Sequence, residues 1–488
     1  MRGLISILTI LTVVLTATSV LAIGPDTLWT RHLGTSAADY GYCVQQTSDG
    51  GFIVAGMSTR DGNPDVYLLK TDANGDSLWD RTYGGTEEDY AYGIDVCSDG
   101  GFIVTGYTGN WITGDAQVYV IRTDANGDSI WTRAYGSPGS DRGNSVIETD
   151  VGGFLVVGTE YVGGVGYQIY MIKIDDDGDV AWSQLHKAYA NTLGYEVQEM
   201  TFGGQYYAVA ASCQWKVGGY EAFLVKTDEL GDTLWTSSYG TVTGYEYAES
   251  FDLTSDGGYI LAGHATGFSG TWDGYVVKAD ALGDSVWQRA LGGALEEYMY
   301  AVRETPDGNY VVVGQTQGGV HGHVDIYVVK LDAFGDTLWT GMYGTAQIDY
   351  GYDLRITSDG GLIIVGYGRD PVYHSYDVYL VRTGPDASVD PREPGSDLRV
   401  VKASPNPFST SVRISYILSA PARVSADVFD IRGRRVSGLL GGASQGAGCR
   451  SLTWDGTDSN GTRMPPGIYF LRLRAGSTSA VEKIVLVE

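Results

Sequence analysis

Basic residues are scarce in this chain: 32 Lys and Arg stand against 59 Asp and Glu, a formal charge of −27 at pH 7. Nucleic-acid binding is excluded on that ground, because phosphates need a basic footprint. Cysteine is scarcer still. Cys43, Cys97, Cys213 and Cys449 are the four in 488 residues, and they share no repeating spacing. That excludes a disulfide framework or a zinc signature and predicts buried free thiols. No Ser/His/Asp signature, phosphate loop or paired-carboxylate motif is found, so no catalytic residue, cofactor or metal is assigned. Beyond residue 22 no stretch is long and apolar enough to cross a membrane.

The apolar run that does exist lies at the start. Met1-Arg2-Gly3 precedes Leu4 to Leu15, and small residues follow up to Val20-Leu21-Ala22. One positive charge, a short apolar stretch and small residues before Ala22 predict a secretory signal over 1–22. Glycine, by contrast, is abundant at 70 residues, and Tyr at 35 far outnumbers Phe at 11. That mixture suits short strands joined by tight turns, since Gly accepts positive φ and Tyr suits half-buried pleated surfaces.

Seven tryptophans set a period. Trp29, Trp79, Trp131, Trp182, Trp235, Trp287 and Trp339 are spaced by 50, 52, 51, 53, 52 and 52 residues. Each ends a segment such as Gly75-Asp76-Ser77-Leu78-Trp79. A period near 50 built from strand-like pieces predicts a propeller or β array and excludes helical repeats. One unit reads as four strands: Leu78 to Tyr83, Tyr90 to Val96, Phe102 to Gly106 and Val118 to Arg122. Asp99-Gly100-Gly101 joins the second and third and recurs at Asp49, Asp256 and Asp359, supplying the positive φ of a tight hairpin turn. The last unit stops at Thr383 without a Trp strand, while Leu28-Trp29-Thr30-Arg31 precedes any complete unit. The expectation is all-β: a seven-bladed β-propeller of four-stranded blades over 23–384, its N-terminal strand closing the ring.

The segment Lys70-Thr71-Asp72-Ala73-Asn74-Gly75-Asp76-Ser77-Leu78-Trp79 resembles the tryptophan-docking repeat of quinoprotein-type propellers, one residue short. The resemblance implies a Trp wedged between neighbouring blades. The repeat is also similar to those of secreted bacterial propeller proteins, a likeness specific for fold and not for activity.

Asp72-Asn74-Asp76, Asp124-Asn126-Asp128 and Asp175-Asp177-Asp179 place oxygen side chains at alternate positions, as a calcium loop begins. In the other copies the middle position is Leu230, Leu282 or Phe334, the Gly comes too early, and no bidentate Glu follows. A polar hairpin turn accounts for all six. These turns and the Asp-Gly-Gly turns share one face. The opposite face carries irregular loops with Trp111, Trp215, Trp272, His321, His323, Tyr373 and His374. Of these, Trp111, Trp215, Trp272, His321 and His323 are the candidate ligand-binding residues, because exposed aromatics suit sugar or peptide faces. The alternative is loop packing, and one His pair is not a metal site. Asp39, Asp89, Asp141, Glu246, Glu297 and Asp349, with Thr192 in the remaining unit, precede the inner strands. They read either as an acidic ring round a central opening or as turn caps.

After Pro- and Asp-rich 385–397, a linker, the repeat vanishes. Residues 398–488 hold about seven short alternating strands, which predict an immunoglobulin-like sandwich. Ser404-Pro405-Asn406-Pro407-Phe408, Val428 to Val436, Trp454-Asp455-Gly456 and Pro466-Gly467-Ile468-Tyr469-Phe470 resemble the C-terminal sorting domain of type IX secretion cargo. The later portion is equally similar to the flagellar hook-capping (FlgD-like) immunoglobulin-like domain. The resemblance implies outer-membrane secretion machinery as a partner and a secreted or outer-surface address. The function expected is a binding or adhesion module for a polysaccharide or peptide. A propeller hydrolase or lyase and a purely structural surface protein are the alternatives.

Overall fold

The computed structural model describes residues 22–487, apart from 189–190, 201–204, 215–218, 241–243, 267–270, 320–323, 371–374, 387–397, 419–420, 431, 460 and 476–477. All but Ala22 of the expected signal, 1–22, and most of the expected linker therefore lie outside the described residues. The four cysteines are free and buried, as their spacing predicts.

Every element among the described residues is a strand. Seven consecutive antiparallel sheets of four strands run from the first, Asp39–Gln46, Phe52–Ser58, Asp65–Thr71 and Ser77–Tyr83, to the last. The seventh comprises Asp349–Ile356, Leu362–Arg369, Tyr376–Thr383 and, from the other end of the chain, Thr27–Leu33. There Trp29 pairs opposite Arg382, so the displaced Trp strand occupies the edge that the repeat leaves open. One element was not foreseen: Ala22–Ile23 adds a parallel strand to the sixth sheet, opposite Trp339 and Thr340.

The strand pattern follows from how the sheets stack. Phe52–Ser58 and Asp65–Thr71 are buried throughout, which is why they read as near-continuous apolar runs. Each sheet's inner strand packs on the next sheet, from Asp39–Gln46 onward, and Asp349–Ile356 of the seventh packs on Asp39–Gln46 of the first. In six of the seven outer strands the Trp lies on a turn glycine of the following sheet; Trp339 lies on Gly24 instead. A Cβ on Gly75 would meet the Trp29 ring at 2.6 Å, and one on Gly231 would meet the Trp182 ring at 2.7 Å. Gly75 also has φ 78°, so backbone conformation and close packing both demand glycine there. The docking that the quinoprotein resemblance implied is thus present.

The Asp-Gly-Gly turns refine their sequence reading. Only the first glycine has positive φ, 81° at Gly50. The second is required because a Cβ on Gly51 would lie 2.2 Å from the Thr71 carbonyl oxygen. A buried cation ties the turn to the end of the third strand: Lys70 to Asp49 at 2.9 Å, Arg122 to Asp99 at 2.6 Å, Lys278 to Asp256 at 3.1 Å. Both turn types therefore share one face, as the strand alternation predicts.

The C-terminal unit is an immunoglobulin-like sandwich. Leu398–Ser404, Val412–Leu418 and Gly448–Trp454 form one sheet; Ala422–Asp430, Arg435–Gln445, Gly467–Ala475 and Thr478–Leu486 form the other. They share a core centred on Tyr416, Trp454, Leu471 and Ile484. This unit rests on the turn face of the fifth and sixth sheets. Cys449 donates its N–H to Asp256 at 2.6 Å, and Ile417 and Cys449 join the cluster around Trp287 and Phe334.

Candidate functional site: an aromatic collar over a central cavity

The inner strand of each sheet begins with a short recurring pattern: Asp39-Tyr40-Gly41-Tyr42, Asp89-Tyr90-Ala91-Tyr92, Asp349-Tyr350-Gly351-Tyr352. Its fourth residue sits in a β-bulge. The register of the inner strand slips between Gly41 and Cys43, Ala91 and Gly93, Gly143 and Ser145, Gly194 and Glu196, Met299 and Ala301, and Gly351 and Asp353. A bulge leaves one residue unpaired and re-aims its side chain. In five of these six a glycine stands across the ladder, and in the fourth sheet Ala211 stands opposite Gly194. A Cβ on Gly56, Gly106 or Gly366 would lie 1.8, 1.7 or 1.7 Å from the carbonyl oxygen of Tyr40, Tyr90 or Tyr350. The glycine closing each Phe-Ile-Val-x-Gly run thus permits the bulge, and the bulge aims a tyrosine inward.

The re-aimed residues Tyr42, Tyr92, Asn144, Tyr195, Tyr300 and Tyr352, with Glu249 just before the inner strand of the fifth sheet, line a cavity of about 290 Å³ contributed to by all seven sheets. Below them the wall is ionic. Arg303 contacts Glu196 at 3.0 Å and Asp353 at 3.5 Å, and Arg355 contacts Asp353 at 2.5 Å, so these charges are mutually paired. Burial pushes the Glu249 carboxyl up to about 7, and the nearby Arg142 guanidinium opposes that rise only in part.

Above the cavity the second residues of the pattern and the outer loops make a collar. Tyr40 meets Tyr367 at 4.3 Å, Tyr350 meets Tyr367 at 4.8 Å, and Tyr90 stacks on Tyr107 at 4.9 Å. His264 stacks on Tyr247 at 4.9 Å and lies edge-on to Tyr298 and Trp272 at 5.0 and 5.1 Å. Burial lowers the His264 imidazole to about 4, so it is a neutral aromatic member of the collar at pH 7.

Of the candidate residues read from sequence, two belong to this collar. Trp272 stacks on Tyr298 at 5.9 Å, and Trp111 stacks on Tyr167 at 6.1 Å with the Arg142 guanidinium 5.3 Å from its ring. Both are half-buried. Trp215, His321 and His323, with Tyr373 and His374, lie outside the described residues. Sequence reasoning missed the tyrosines, Arg142 and Glu249. The signal was there as breaks in the inner-strand pattern: Asp141-Arg142-Gly143-Asn144 and Glu246-Tyr247-Ala248-Glu249 replace the usual Tyr residues.

Of the two readings of the acidic residues before the inner strands, the structure bears out the turn caps. Asp39, Asp89, Asp141, Glu297 and Asp349 are at most 5% exposed and are absent from the cavity wall. Each accepts an N–H from the residue four positions earlier, such as Thr35 to Asp39 at 2.5 Å and Ser137 to Asp141 at 2.9 Å. Thr192 does the same for Ala188 at 3.3 Å. They are turn caps. The alternate-oxygen loops are turns as well. Asp72 accepts the N–H groups of Asn74 and Asp76 at 2.8 and 2.9 Å, and the Leu- and Phe-containing copies repeat it at Asp228, Asp280 and Asp332.

Comparison with known proteins touches both parts of the chain. No curated protein matches it in sequence. Among solved structures, PorZ, an essential bacterial surface component of the type-IX secretion system of Porphyromonas gingivalis, aligns over 90% of this chain at 15% identity and TM-score 0.40. The chain spans only 58% of PorZ. A fungal alcohol oxidase of the AA5 family aligns over 95% of this chain and 100% of its own, at 13% identity and TM-score 0.46. A protein of unknown function from Dyadobacter fermentans aligns over 74% of this chain and 99% of its own, at 12% identity and TM-score 0.45. Residues 407–479 match the family model of the FlgD Ig-like domain, so the sandwich at the C-terminus is an immunoglobulin-like domain of that kind.

Proposed function

We propose that the chain is an exported seven-bladed β-propeller, residues 23–384, linked through 385–397 to the immunoglobulin-like domain, 398–488. The propeller is a binding module that works at the outer cell surface or in the medium. Support for a ring comes from the seventh-to-first junction, which repeats the others: Trp29 lies on Gly75, and Gln46 accepts the Ser358 N–H at 2.9 Å as Glu148 accepts that of Ser98 at 2.6 Å. Support for export comes from the apolar leader and from the sorting-domain resemblance of residues 404–486.

The observation that carries the binding reading is the aromatic collar. Large half-buried rings around a concave opening offer amphipathic area at little conformational cost, which suits a polysaccharide or peptide. Titrating the full chain with soluble polysaccharides and peptides is expected to give saturable quenching of tryptophan fluorescence. Trp272→Ala is expected to weaken that binding at least tenfold. A flat response across the panel sinks the binding reading and leaves a structural surface protein. One observation favours a hydrolase or lyase instead: a cavity carboxyl near 7 is poised for proton transfer. New reducing ends released from a bound polysaccharide, and lost in Glu249→Gln, would establish turnover.

The C-terminal domain is read as the export and attachment signal. Deleting 398–488 is expected to hold the protein on the periplasmic side of the outer membrane, as seen by cell fractionation. Normal export of the shortened chain would overturn that role.

A further inference from the structure

The cavity beneath the collar has two unlike halves. Around its wall Tyr92, Tyr42, Tyr352 and Tyr300 form an unbroken run, with successive ring centroids 5.4, 5.5 and 4.9 Å apart. The positions facing this run break it with an amide and a carboxylate, Asn144 and Glu249. Arg142, two residues before Asn144 on the same strand, lies over Tyr92 with its guanidinium 5.8 Å from the ring.

The polar half keeps hydrogen-bonding capacity that the protein itself does not use. The half-buried Glu249 side chain takes no hydrogen bond among the described residues, and its pKa is raised. The Arg142 Nε is buried without a hydrogen-bond partner. Asn144 donates to the Gly194 carbonyl at 2.6 Å, which leaves its own side-chain oxygen as an acceptor. Buried polar groups left in this state are costly, and a ligand that satisfies them recovers that cost.

Charge narrows the ligand class. The charged groups of the cavity wall are the carboxylates of Asp95, Glu196, Glu249 and Asp353 and the guanidinium groups of Arg303 and Arg355. Arg303 and Arg355 are taken up by Glu196 and Asp353, and Asp95 and Glu249 stand beyond those pairs, so an anion is repelled. A neutral hydroxylated ligand can use the free carboxylate as a hydrogen-bond acceptor without bringing a charge of its own to be desolvated. It needs an apolar face for the tyrosine run and hydroxyl groups, able both to donate and to accept, for Glu249, Asn144 and Arg142. A sugar ring has that division between its C–H face and its hydroxyls.

We infer that the central cavity is a saccharide subsite, holding one or two sugar units against Tyr42 and Tyr352 with their hydroxyls on Glu249, Asn144 and Arg142. The inference rests on the binding reading above and deepens it by naming the ligand class and the residues that select it. At about 290 Å³ the cavity sits at the small end of ligand pockets, roughly 300–1,000 Å³, which fits a chain end or a short oligosaccharide better than a long strand lying across it.

The test is isothermal titration of the full chain with a panel of neutral mono- and disaccharides: glucose, galactose, mannose, N-acetylglucosamine, cellobiose and maltose. Tetramethylammonium and acetate serve as the charged controls. At least one sugar is expected to bind and the ions are not. Glu249→Gln keeps the shape and removes the charge, and is expected to weaken the sugar by about tenfold to a hundredfold, the worth of a hydrogen bond to a charged group. Tyr352→Ala is expected to weaken it about tenfold, and Tyr352→Phe to restore it, because the ring and not the hydroxyl makes the wall. Binding of an ion in place of any sugar overturns the ligand class. Binding of a polysaccharide or peptide that Trp272→Ala abolishes but Glu249→Gln and Tyr352→Ala leave untouched overturns the cavity assignment and leaves the proposed function standing. Silence towards every sugar overturns the cavity assignment, and silence towards the polysaccharides and peptides as well overturns both.

Discussion

Replacing Trp339 by alanine is expected to cost about 3–5 kcal/mol of stability, well beyond the same change at Trp131. The two residues occupy the same place in the sequence period, and the structure separates them. Trp339 is 1% exposed and is among the largest fully buried side chains, whereas Trp131 is half-buried. At most junctions the Trp lies on the turn glycine of the next sheet. The seventh sheet has no such turn, because its Trp strand was supplied from the N-terminus. Gly24 takes that role, with a virtual Cβ 3.0 Å from the Trp339 ring, and Ala22–Ile23 pairs alongside. The indole Nε1–H donates to Asp386 at 2.9 Å, and Asp386 also receives Lys330 Nζ at 2.7 Å. Truncation therefore empties a packed site, removes a donor from a carboxylate that faces a buried lysine, and frees the N-terminal segment. Trp131→Ala loses the bond from its Nε1–H to the Asp176 carbonyl at 2.8 Å and a partly solvated ring, worth about 1–2 kcal/mol. Urea unfolding followed by far-UV circular dichroism checks the pair. Equal midpoint shifts for the two variants would refute the special position of Trp339.

That contrast shows where the sequence stopped being informative. The period of the seven tryptophans, the four strands per unit and the sandwich after residue 397 are local patterns repeated or alternating at fixed intervals, and they could be read directly. Ala22–Ile23 could not, since its pairing depends on what lies beside Trp339 in three dimensions. The same holds for the cavity. A tyrosine on an inner strand reads as an ordinary half-buried strand residue until a bulge turns it inward, and a bulge is a relation between two strands. The glycine of Phe-Ile-Val-x-Gly looked like a strand end. Its reason is the carbonyl of Tyr40 or Tyr90 pressing on its Cα. The aromatics noted on the irregular loops were half of the site: Trp111 and Trp272 stand in the collar, but the wall behind them comes from the regular part of each sheet. The acidic residues before the inner strands show the converse. Near-uniform recurrence marks a structural requirement, here the cap of a turn, while the site is written in the positions where the repeat fails, Arg142, Asn144 and Glu249.

Glu249 makes its own prediction about pH. Its carboxyl is raised from the usual 4.5 to about 7 by burial, with Arg142 pulling the other way. Below pH 4.5 the group is protonated in both the folded and the unfolded chain and contributes nothing to pH dependence. Between about 4.5 and 7 the unfolded chain releases the proton and the folded chain retains it. The folded state then binds more protons, so stability falls as pH rises through this window, by on the order of 3 kcal/mol in all. Other buried carboxyls add in the same direction, Asp141 and Asp377 having been raised to about 6 by burial, and self-repulsion of the −27 charge also grows with pH. The whole-protein trend therefore cannot isolate one residue, but the difference between the native protein and Glu249→Gln can. The variant carries no titrating group at that position. It is expected to match the native protein near pH 4.5 and to exceed it increasingly up to pH 8, where the gain reaches a few kcal/mol. Urea midpoints of both proteins at pH 4.5, 6, 7 and 8 decide the matter. A native-to-variant difference that stays constant across that range would mean that Glu249 titrates as an ordinary solvated carboxyl, and that the polar half of the cavity is wetter than its packing implies.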